Sequence, residues 1–295
     1  MSARGVSVVV PHFGDPVHGR ALVDQLLGQE GLDAIEVIVV DDASPTPFPP
    51  VDDARARVIR RPSNGGFGAA VNTGAEVATQ PWLLILNSDV TLTSSDVARL
   101  LSHASPDRLV GPAVRTGGRL EAVGRKWPTP LSVGLSKIEV LQRFHFKRWY
   151  LRAIGVDIRA GGHVDSSVDW IAGVAMMLPT ELFVGHGGFD QRFYMYCEET
   201  DLQRRLAELE VERVLVSEVE VGHVGGASSD PARVQSWLTT SQVTYARKWG
   251  GLWRTRACLA TAAAINIVTG GARRAAGRPT RPVAEARRAW RDLRS

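Results

Sequence analysis

The chain has 295 residues, of which 44% are hydrophobic, a length and composition that allow a substantial buried core. Its two cysteines, Cys197 and Cys258, lie far apart, which argues against a disulfide scaffold or a zinc ribbon and favours a reducing cytosol. The apolar run at residues 6–10 is too short for a secretory signal peptide, so we expect a cytoplasmic protein.

The C-terminal tail carries the excess positive charge of the chain. The net charge is +4, and residues 254–294 contain ten arginines against two acidic residues. Their longest apolar stretch, residues 258–268, is too short to cross a bilayer, which takes about 20 apolar residues. With Trp253 and Trp290, the tail predicts either a peripheral contact with the inner face of the cell membrane or a solvated basic segment. It has no motif for reading nucleic acid, so no nucleic-acid partner is expected.

Strands and helices alternate through the first 90 residues. Apolar patterning predicts strands at residues 6–10, 36–40, 58–60 and 82–86, with helices at residues 17–27 and 68–78. This alternation predicts a parallel sheet with helices on both faces. Ligands of such sheets bind beyond the carboxyl ends of the strands, so the residues that follow each strand are the candidates for function.

The pattern is looser in the second half. Residues 115–162 are rich in Gly, Pro, Trp and Arg, which predicts loops and short elements that cover a cleft. Regular elements return with strands at residues 168–177 and 214–221 and helices at residues 179–184 and 199–209.

Asp41 and Asp42 end the second predicted strand, at the edge where ligands bind. Asp42 either accepts a hydrogen bond from N3 of uracil or thymine, with Phe13 packed on the base, or caps a turn before Ser44 and Pro45. The sequence leaves both interpretations open.

A glycine-rich turn, residues 64–68, precedes the second predicted helix. Its glycines let the backbone approach a ligand, and N–H groups at a helix start face negative charge. The turn therefore predicts either a pyrophosphate or sugar contact that includes Gly65, or a plain turn.

Asn87, Ser88 and Asp89 follow the fourth predicted strand. Asp89 offers a hard oxygen ligand for Mg²⁺ or Mn²⁺, which would neutralise a leaving nucleoside diphosphate; the alternative is a polar turn at the strand end. His223, after the last strand, would complete a metal site, contact phosphate or have a structural role.

Three carboxylates, Glu198, Glu199 and Asp201, open a predicted helix. Helix N-termini favour acidic side chains, so capping is one explanation. The other is that one carboxylate deprotonates an acceptor hydroxyl, with its pKa raised by crowding with its neighbours.

Seven segments in this order resemble those of family 2 glycosyltransferases, particularly the bacterial rhamnosyltransferase-like branch that builds cell-wall and surface polysaccharides. The segments are VSVVVPHFG (6–14), VVDDAS (39–44), NGGFGAAVNTG (64–74), LILNSD (84–89), WIAGVAMML (170–178), GGFDQRFYMYCEETDLQRR (187–205) and GH (222–223). Each segment is weak evidence alone, but their common order makes a chance match improbable.

The resemblance implies an α/β GT-A fold, with a Rossmann-like, mostly parallel central sheet flanked by helices and a C-terminal helical extension. The glycosyltransferase domain is expected at residues 1–250, with a nucleotide-binding half at 1–110 and an acceptor-binding half at 111–250. Residues 251–295 are expected to form a basic amphipathic extension.

The resemblance also implies roles for site residues. The residues implied near the nucleotide are Pro11, Phe13 and Asp42 at the base, Asn64 and Asn72 at the ribose or donor sugar, and Gly65 and Ser88 beside them. The residues implied at the acceptor or donor sugar are Trp170, Gly173 and Tyr196. Asp89 would be the metal carboxylate, and His223 a second metal ligand or a phosphate contact, for Mg²⁺ or Mn²⁺.

Two positions depart from the family pattern. The Asp-x-Asp motif reads Asn-Ser-Asp and keeps only Asp89, the direct metal ligand. The usual catalytic Asp is replaced by Glu199, which is therefore the predicted base, with Glu198 and Asp201 as alternatives. Arg205 matches a basic residue of the family and is expected to pair with these acids.

The resemblance implies a metal-dependent hexosyltransferase that inverts the anomeric centre in one displacement. The favoured donor is dTDP-L-rhamnose; a UDP-hexose stays open, because uracil and thymine share the edge that Asp42 would recognise. The expected acceptor is a glycan or a polyprenyl-linked glycan. The alternative is a non-catalytic nucleotide- or sugar-binding module of the same fold, in which Asn87 and Glu199 have drifted.

Overall fold

The computed structural model describes residues 4–158, 164–225 and 230–275. Up to residue 102 the elements are β1 (Gly5–His12), α1 (Val17–Leu27), β2 (Ala34–Asp41), β3 (Ala56–Arg60), α2 (Phe67–Ala75), β4 (Trp82–Leu86), β5 (Val90–Thr91) and α3 (Asp96–Ser102). The predicted alternation of strands and helices in this half is therefore confirmed.

The next elements lead to residue 153. They are β6 (Arg108–Thr116), β7 (Arg119–Leu120), β8 (Gly124–Arg125), α4 (Pro130–Ser136), a 3-10 helix (Glu139–Phe144) and α5 (Arg148–Ala153). Loops and short elements were predicted here, and the helices are indeed short, of six or seven residues each, too short to show a helical period in the sequence. The start of α4 is nevertheless encoded locally, because Thr129 and Ser132 form a capping box around Pro130 at the first helical position.

The remaining elements are β9 (Ser166–Ser167), β10 (Trp170–Ile171), β11 (Ala175–Pro179), α6 (Thr180–Gly185), α7 (Glu198–Ala207), β12 (Glu212–His223), α8 (Pro231–Trp249) and α9 (Leu252–Ala275). The single strand predicted at residues 168–177 is wrong. The chain turns between β10 and β11, where the Val174 N–H donates to the Ala172 carbonyl at 2.8 Å.

The central sheet has the strand order β3-β2-β1-β4-β11-β6-β12-β5, with β7 paired to β6 and β9 to β12. The pairs β1–β2, β1–β4, β2–β3 and β6–β12 are parallel, whereas β11 runs antiparallel to β4 and β6. The carboxyl ends of β1, β2 and β4 consequently meet at one edge of the sheet. The start of β11 lies at the same edge, because Ala175 pairs with Leu86.

Helix α2 packs closely on this sheet because it has a glycine at the contact. A Cβ atom at Gly74 would lie 2.5 Å from Cγ1 of Val9 and 3.0 Å from Cγ2 of Val40. Both valines are fully buried in adjacent strands, so neither can move away without disturbing the core.

We expect Gly74→Ala to lower the free energy of unfolding by about 1–3 kcal/mol, because the added methyl overpacks the core. The control is Gly271→Ala in α9, where a Cβ would contact no atom of the described residues within 4 Å. That change should instead raise the free energy of unfolding by about 0.5–1 kcal/mol. Urea unfolding monitored by circular dichroism measures both changes, and effects of the same sign would contradict the expectation.

The described residues group into two compact units. The first comprises residues 4–125, 164–194 and 198–225, and the second comprises residues 126–158, 195–197 and 230–275. The second unit thus joins a segment from the middle of the chain to the C-terminal helices. The boundaries predicted at residues 110 and 250 divide the chain by function, and that division stays a prediction.

In the second unit, α4 lies along α9. Gly134 permits the contact, since a Cβ there would lie 2.7 Å from Cβ of Cys258. Further along α9, Asn266 accepts the Glu139 N–H at 3.0 Å and donates to the Lys137 carbonyl at 2.8 Å.

Among the residues that the structure describes, no helix is long and apolar enough to cross a membrane.

Candidate active site

The two aspartates at the end of β2 have different partners. The Asp41 side chain is fully buried and accepts the N–H groups of Ser44 at 2.8 Å and Phe48 at 3.1 Å, beside Arg60. Burial raises the pKa of Asp41, but these hydrogen bonds outweigh it and hold the pKa below the ordinary value. The turn after β2 is therefore capped by Asp41, which leaves Asp42 for another role.

Asp42 binds the glycine-rich turn. Its carboxylate accepts the Gly65 N–H at 3.1 Å and the Gly66 N–H at 2.8 Å, and it pairs with Arg61. These two N–H groups were expected to face a pyrophosphate or sugar, and in the structure they face Asp42 instead. Asp42 thus fixes the turn beside the edge of the sheet, and its predicted contact with a nucleobase stays a prediction.

The glycine-rich turn also packs against the segment before α7. Gly66 has φ +86°, and a Cβ there would lie 1.8 Å from the Tyr194 carbonyl oxygen, so the position requires glycine. Asn64 accepts a hydrogen bond from the Tyr194 hydroxyl at 2.7 Å. In β1, Pro11 is buried, and Phe13 just beyond it is 48% exposed, which leaves its ring accessible to a base.

Asn72 uses both groups of its side-chain amide within the protein. It donates to the Phe189 carbonyl and accepts the Phe189 N–H, each at 2.8 Å. The residue therefore positions the loop at Phe189, and its predicted contact with ribose or a donor sugar stays a prediction.

A carboxylate just after β4 and an imidazole on the last residue of β12 meet at the edge of the sheet. Oδ1 of Asp89 lies 3.3 Å from Nε2 of His223, and Oδ2 of Asp89 accepts the Gly225 N–H at 3.1 Å. On the other side of the ring, Nδ1 of His223 is 3.7 Å from Oε1 of Glu121. Ser88 lies partly buried in the same turn as Asp89. The predicted pair of Asp89 and His223 is thus brought together by the fold.

Their proximity affects both pKa values. The hydrogen bond to Asp89 is the largest cause of the raised pKa of His223, against burial, with further support from the charges of Asp89 and Glu121. Burial raises the pKa of Asp89, but the hydrogen bond and charge of His223 outweigh it and lower that pKa. The pair therefore favours an ionised Asp89 and a protonated His223, and His223 would have to release that proton to act as a metal ligand.

This donor set suits a hard divalent cation. Within the described parts of the chain, no group of three or more His, Cys, Asp or Glu side chains could hold a metal ion. Mg²⁺ and similar cations, however, bind through one or two protein ligands and complete their shell with substrate phosphates and water. Asp89 and His223 fit that mode, in which the substrate supplies the remaining ligands.

Glu198 and Glu199 place two carboxyl groups at the start of α7, where Glu198 is buried and Glu199 is partly buried. Within the described residues, Oε2 of each has no hydrogen-bond partner. Burial raises the pKa of Glu198 well above its ordinary value, and the charge of Glu199 raises it further. Burial also raises the pKa of Glu199, but the N–H groups of Glu199, Thr200 and Gly173 and the charge of Arg125 oppose it. When the pair holds one proton, that proton therefore resides on Glu198.

Asp201 has a different environment. It is fully buried, and its Oδ2 lies 3.0 Å from Nε of Arg205. Arg205 also donates to the carbonyls of His186 and Gly188, each at 2.6 Å. The expected pairing of Arg205 with an acid is confirmed for Asp201. Asp201 therefore orients Arg205, which holds the loop at His186 and Gly188, and its role as an alternative base stays a prediction.

We expect Arg205→Met to lower the free energy of unfolding by about 3 kcal/mol, because it removes the cation that faces a buried carboxylate. Arg192→Met is the matched control, since that arginine pairs with Asp190 at the surface and is 63% exposed. Its effect should stay below about 1 kcal/mol. Chemical denaturation of both variants measures the difference, and equal losses would contradict the assignment.

The backbone between β10 and β11 links the cation site to the carboxyl pair. The Asn87 N–H, two residues before Asp89, donates to the Val174 carbonyl at 3.0 Å. The preceding residue, Gly173, directs its N–H at the Glu199 carboxylate. The base candidate and the turn that bears Asp89 therefore both bond to one short segment at the edge of the sheet.

Two further predicted sugar contacts lie at different places. Trp170 is partly exposed in β10, where it pairs with Arg125 of β8, next to the carboxyl pair. Tyr196 belongs to the second compact unit and has φ +69°, as does Cys197 with φ +68°. Such φ values are strained for residues other than glycine and often occur near functional sites. The contacts of both aromatic residues with sugar stay predictions.

Sequence reasoning missed three charged residues of this region. Arg61 pairs with Asp42, Glu121 faces His223, and Arg125 lies buried with an Nε that has no partner in the described chain. Glu121 and Arg125 occur in the segment predicted as loops, where no strand end indicated a ligand position. The pairing of β8 with β10 brings Arg125 to the site, and the pairing of β7 with β6 places Glu121, whose N–H donates to the Val114 carbonyl at 2.8 Å; only the structure shows these pairings.

The edge of a mostly parallel sheet thus carries a carboxylate–imidazole pair, Asp89 and His223, and two adjacent carboxyl groups, Glu198 and Glu199. Residues 7–163 match the model of Glycosyl transferase family 2. The match covers more than half of the chain, which therefore belongs to this family and is a glycosyltransferase.

Similar proteins agree with this assignment. The N-acetylglucosaminyl-diphospho-decaprenol L-rhamnosyltransferase of Mycobacterium tuberculosis (strain ATCC 25618 / H37Rv) is 25% identical over 241 residues, which cover 75% of this chain and 77% of that enzyme. The mannosyltransferase PcManGT from Pyrobaculum calidifontis, solved with GDP-Man and Mn²⁺, aligns with TM-score 0.57 and 16% identity over 99% of this chain and 87% of that chain.

A second solved structure, GalNAc-T7 with UDP, GalNAc and Mn²⁺, aligns with TM-score 0.61 and 14% identity. The alignment covers 83% of this chain and 48% of that chain, so this protein spans about half the length of GalNAc-T7. At these identities the likeness establishes the fold alone, and it confirms the predicted GT-A fold.

Proposed function

We propose that this glycosyltransferase inverts the anomeric centre as it moves a sugar from a nucleotide donor to a hydroxyl of a glycan or lipid-linked glycan. The observation that carries the proposal is the environment of Glu199. Its carboxylate is held by the Gly173 N–H, beside the turn that bears Asp89, and one oxygen has no partner among the described residues. An ionised carboxylate with a free oxygen in a buried site suits a general base.

The two adjacent glutamates have different roles in the proposed reaction. Burial raises the pKa of Glu198 well above its ordinary value, so in this proposal Glu198 retains a proton, while Glu199 accepts the proton of the acceptor hydroxyl. The acceptor oxygen then attacks the anomeric carbon from the face opposite the nucleotide, so a single displacement inverts that centre. A divalent cation bound by Asp89 and His223 would supply charge neutralisation to the leaving diphosphate.

Support for the donor and acceptor comes from the mycobacterial relative. Its name describes transfer of L-rhamnose to N-acetylglucosaminyl-diphospho-decaprenol. We therefore favour dTDP-L-rhamnose as donor and a polyprenyl-linked glycan as acceptor for this chain. A UDP-hexose is the competing donor, and either Mg²⁺ or Mn²⁺ would suit Asp89 and His223. The membrane contact proposed for the tail concerns residues 251–295, of which residues 276–295, with Trp290, lie outside the described residues.

The test is release of nucleoside diphosphate from a panel of UDP-, dTDP- and GDP-sugars with Mg²⁺ or Mn²⁺, with and without a polyprenyl-linked acceptor. We expect turnover of dTDP-L-rhamnose that requires a divalent cation. NMR of the product should show the anomeric configuration opposite to that of the donor. If only a UDP-hexose is turned over, the donor is that UDP-hexose and not dTDP-L-rhamnose. Nucleotide binding without turnover would identify a non-catalytic module.

A further inference from the structure

The second compact unit presents an exposed aromatic segment between residues 143 and 152, at the end of the 3-10 helix and through α5. Phe146 is 63% exposed and Trp149 is 54% exposed. The Phe144 ring lies 5.3 Å from the Trp149 ring, between centroids, and extends the apolar surface. Two exposed rings and a partly exposed third within six residues form a patch of the kind that marks an interaction site.

Four exposed cations, Arg143, Lys147, Arg148 and Arg152, flank these rings. The sequence has no acidic residue at positions 140–156. Within the part of the chain that the structure describes, none of the four forms an ion pair with a carboxylate. Arg143 instead lies over the Phe144 ring at 4.7 Å, and Lys147 lies over the Phe146 ring at 5.0 Å. The positive charge of the patch is therefore available to an anionic partner.

The segment is fixed within its unit. The Tyr150 ring, directly after Trp149, is buried and anchors α5. Asn266 of α9 holds the start of the 3-10 helix through Glu139 and Lys137. Since Ile267 and Val268, next to Asn266, are also exposed, apolar surface continues on α9. The rings and cations are thus presented by a packed framework.

We propose that residues 143–152 dock this protein on the surface of a bilayer that contains anionic lipids. Trp and Phe bury their rings at the boundary between headgroups and acyl chains, while Lys and Arg contact anionic headgroups. A bilayer surface offers both partners side by side, as the segment does. An acidic protein would satisfy the cations but would leave the exposed rings without an apolar partner.

The first test measures co-sedimentation of the full chain with vesicles of phosphatidylcholine, alone or mixed with phosphatidylglycerol. We expect binding that requires phosphatidylglycerol and weakens as salt is raised. Because each Lys or Arg near an anionic surface contributes about five-fold in affinity, Lys147→Glu/Arg148→Glu should weaken binding at least about 25-fold. Phe146→Ser/Trp149→Ser should weaken it comparably through the loss of both rings.

Matched controls change equally exposed residues of the first unit. Arg4→Glu/Arg119→Glu has the same charge change, and Val17→Ser/Leu209→Ser removes two exposed apolar side chains. Both controls should keep wild-type affinity for the vesicles. The assay contains no nucleotide sugar, so its outcome is independent of the proposed transferase reaction.

A measurement on the wild type covers the case in which a variant fails to fold. Hydrogen exchange should slow in residues 143–152 when vesicles with phosphatidylglycerol are added. Protection confined to residues 276–295, with binding abolished by Arg287→Glu/Arg288→Glu, would overturn the proposal and assign the contact to the tail. Absence of vesicle binding, with a concentration-dependent dimer that Phe146→Ser/Trp149→Ser disrupts, would also overturn it.

Discussion

Replacement of Glu199 by Gln should reduce kcat by about 10²–10⁴-fold, while the KM for the nucleotide sugar changes little. Gln keeps the size of the side chain and can still accept the Gly173 N–H, but it cannot take a proton from the acceptor hydroxyl. Glu199→Asp keeps the carboxylate on a side chain that is one methylene shorter, so this variant should retain part of the activity. Steady-state kinetics of nucleoside diphosphate release with a saturating acceptor measure these effects.

Glu198→Gln is the matched control for this prediction. The two residues are adjacent and chemically identical, so a non-specific effect of removing a carboxyl group at the start of α7 would appear in both variants. Because Glu198 carries the proton of the pair, Gln reproduces its neutral form, and we expect kcat within about ten-fold of wild type. An inactive Glu198→Gln with an active Glu199→Gln would reverse the assignment.

The same pair sets the pH dependence of the reaction. A general base works in its ionised form, so kcat/KM falls as the pH drops through the pKa of Glu199. Burial raises that pKa, which places the acid limb above the value of about 4.3 for an unperturbed glutamate. An acid limb at or below the unperturbed value would show that another group controls it.

The first half of the sheet was predictable because each element there has a strong local signal. The strand Trp82–Leu86 and the helix Val17–Leu27 have the predicted bounds, since a continuous apolar run and a 3.6-residue period are visible in the sequence alone. The turn at Ala172–Val174 was not predictable in this way. Apolar residues continue through it, and only the pairing partners of β10 and β11 determine where the strand breaks.

Prediction of the site from the sequence has the same limit, because contacts set by the tertiary structure leave no local pattern. Residues at strand ends, such as Asp89 and His223, were found because parallel topology brings strand ends together. The sequence placed Asp42 and Gly65 at the same edge but could not show that they bind each other. A hydrogen bond between two candidate ligand residues depends on loop geometry, which no local pattern encodes.

Asp89→Asn should reduce kcat/KM by about 10²–10³-fold and raise the concentration of Mg²⁺ or Mn²⁺ needed for half-maximal activity. Asn preserves the shape of the side chain and an oxygen for the Gly225 N–H, so the turn should survive. Loss of the negative charge lowers the affinity of the site for the cation. The cation's stabilisation of the leaving diphosphate is worth several kcal/mol. Kinetics at increasing metal concentration test both effects.

The matched control is Asp33→Asn, at the opposite edge of the sheet, where Asp33 is exposed and accepts the Arg4 N–H at 2.9 Å. It removes the same charge but lies just before β2, away from the strand ends that carry the site, so metal dependence should match wild type. Equal activity of Asp89→Asn and wild type at every metal concentration would contradict the assignment. Because Glu199 is unchanged in Asp89→Asn, the acid limb of its pH profile should persist, which separates the cation site from the base.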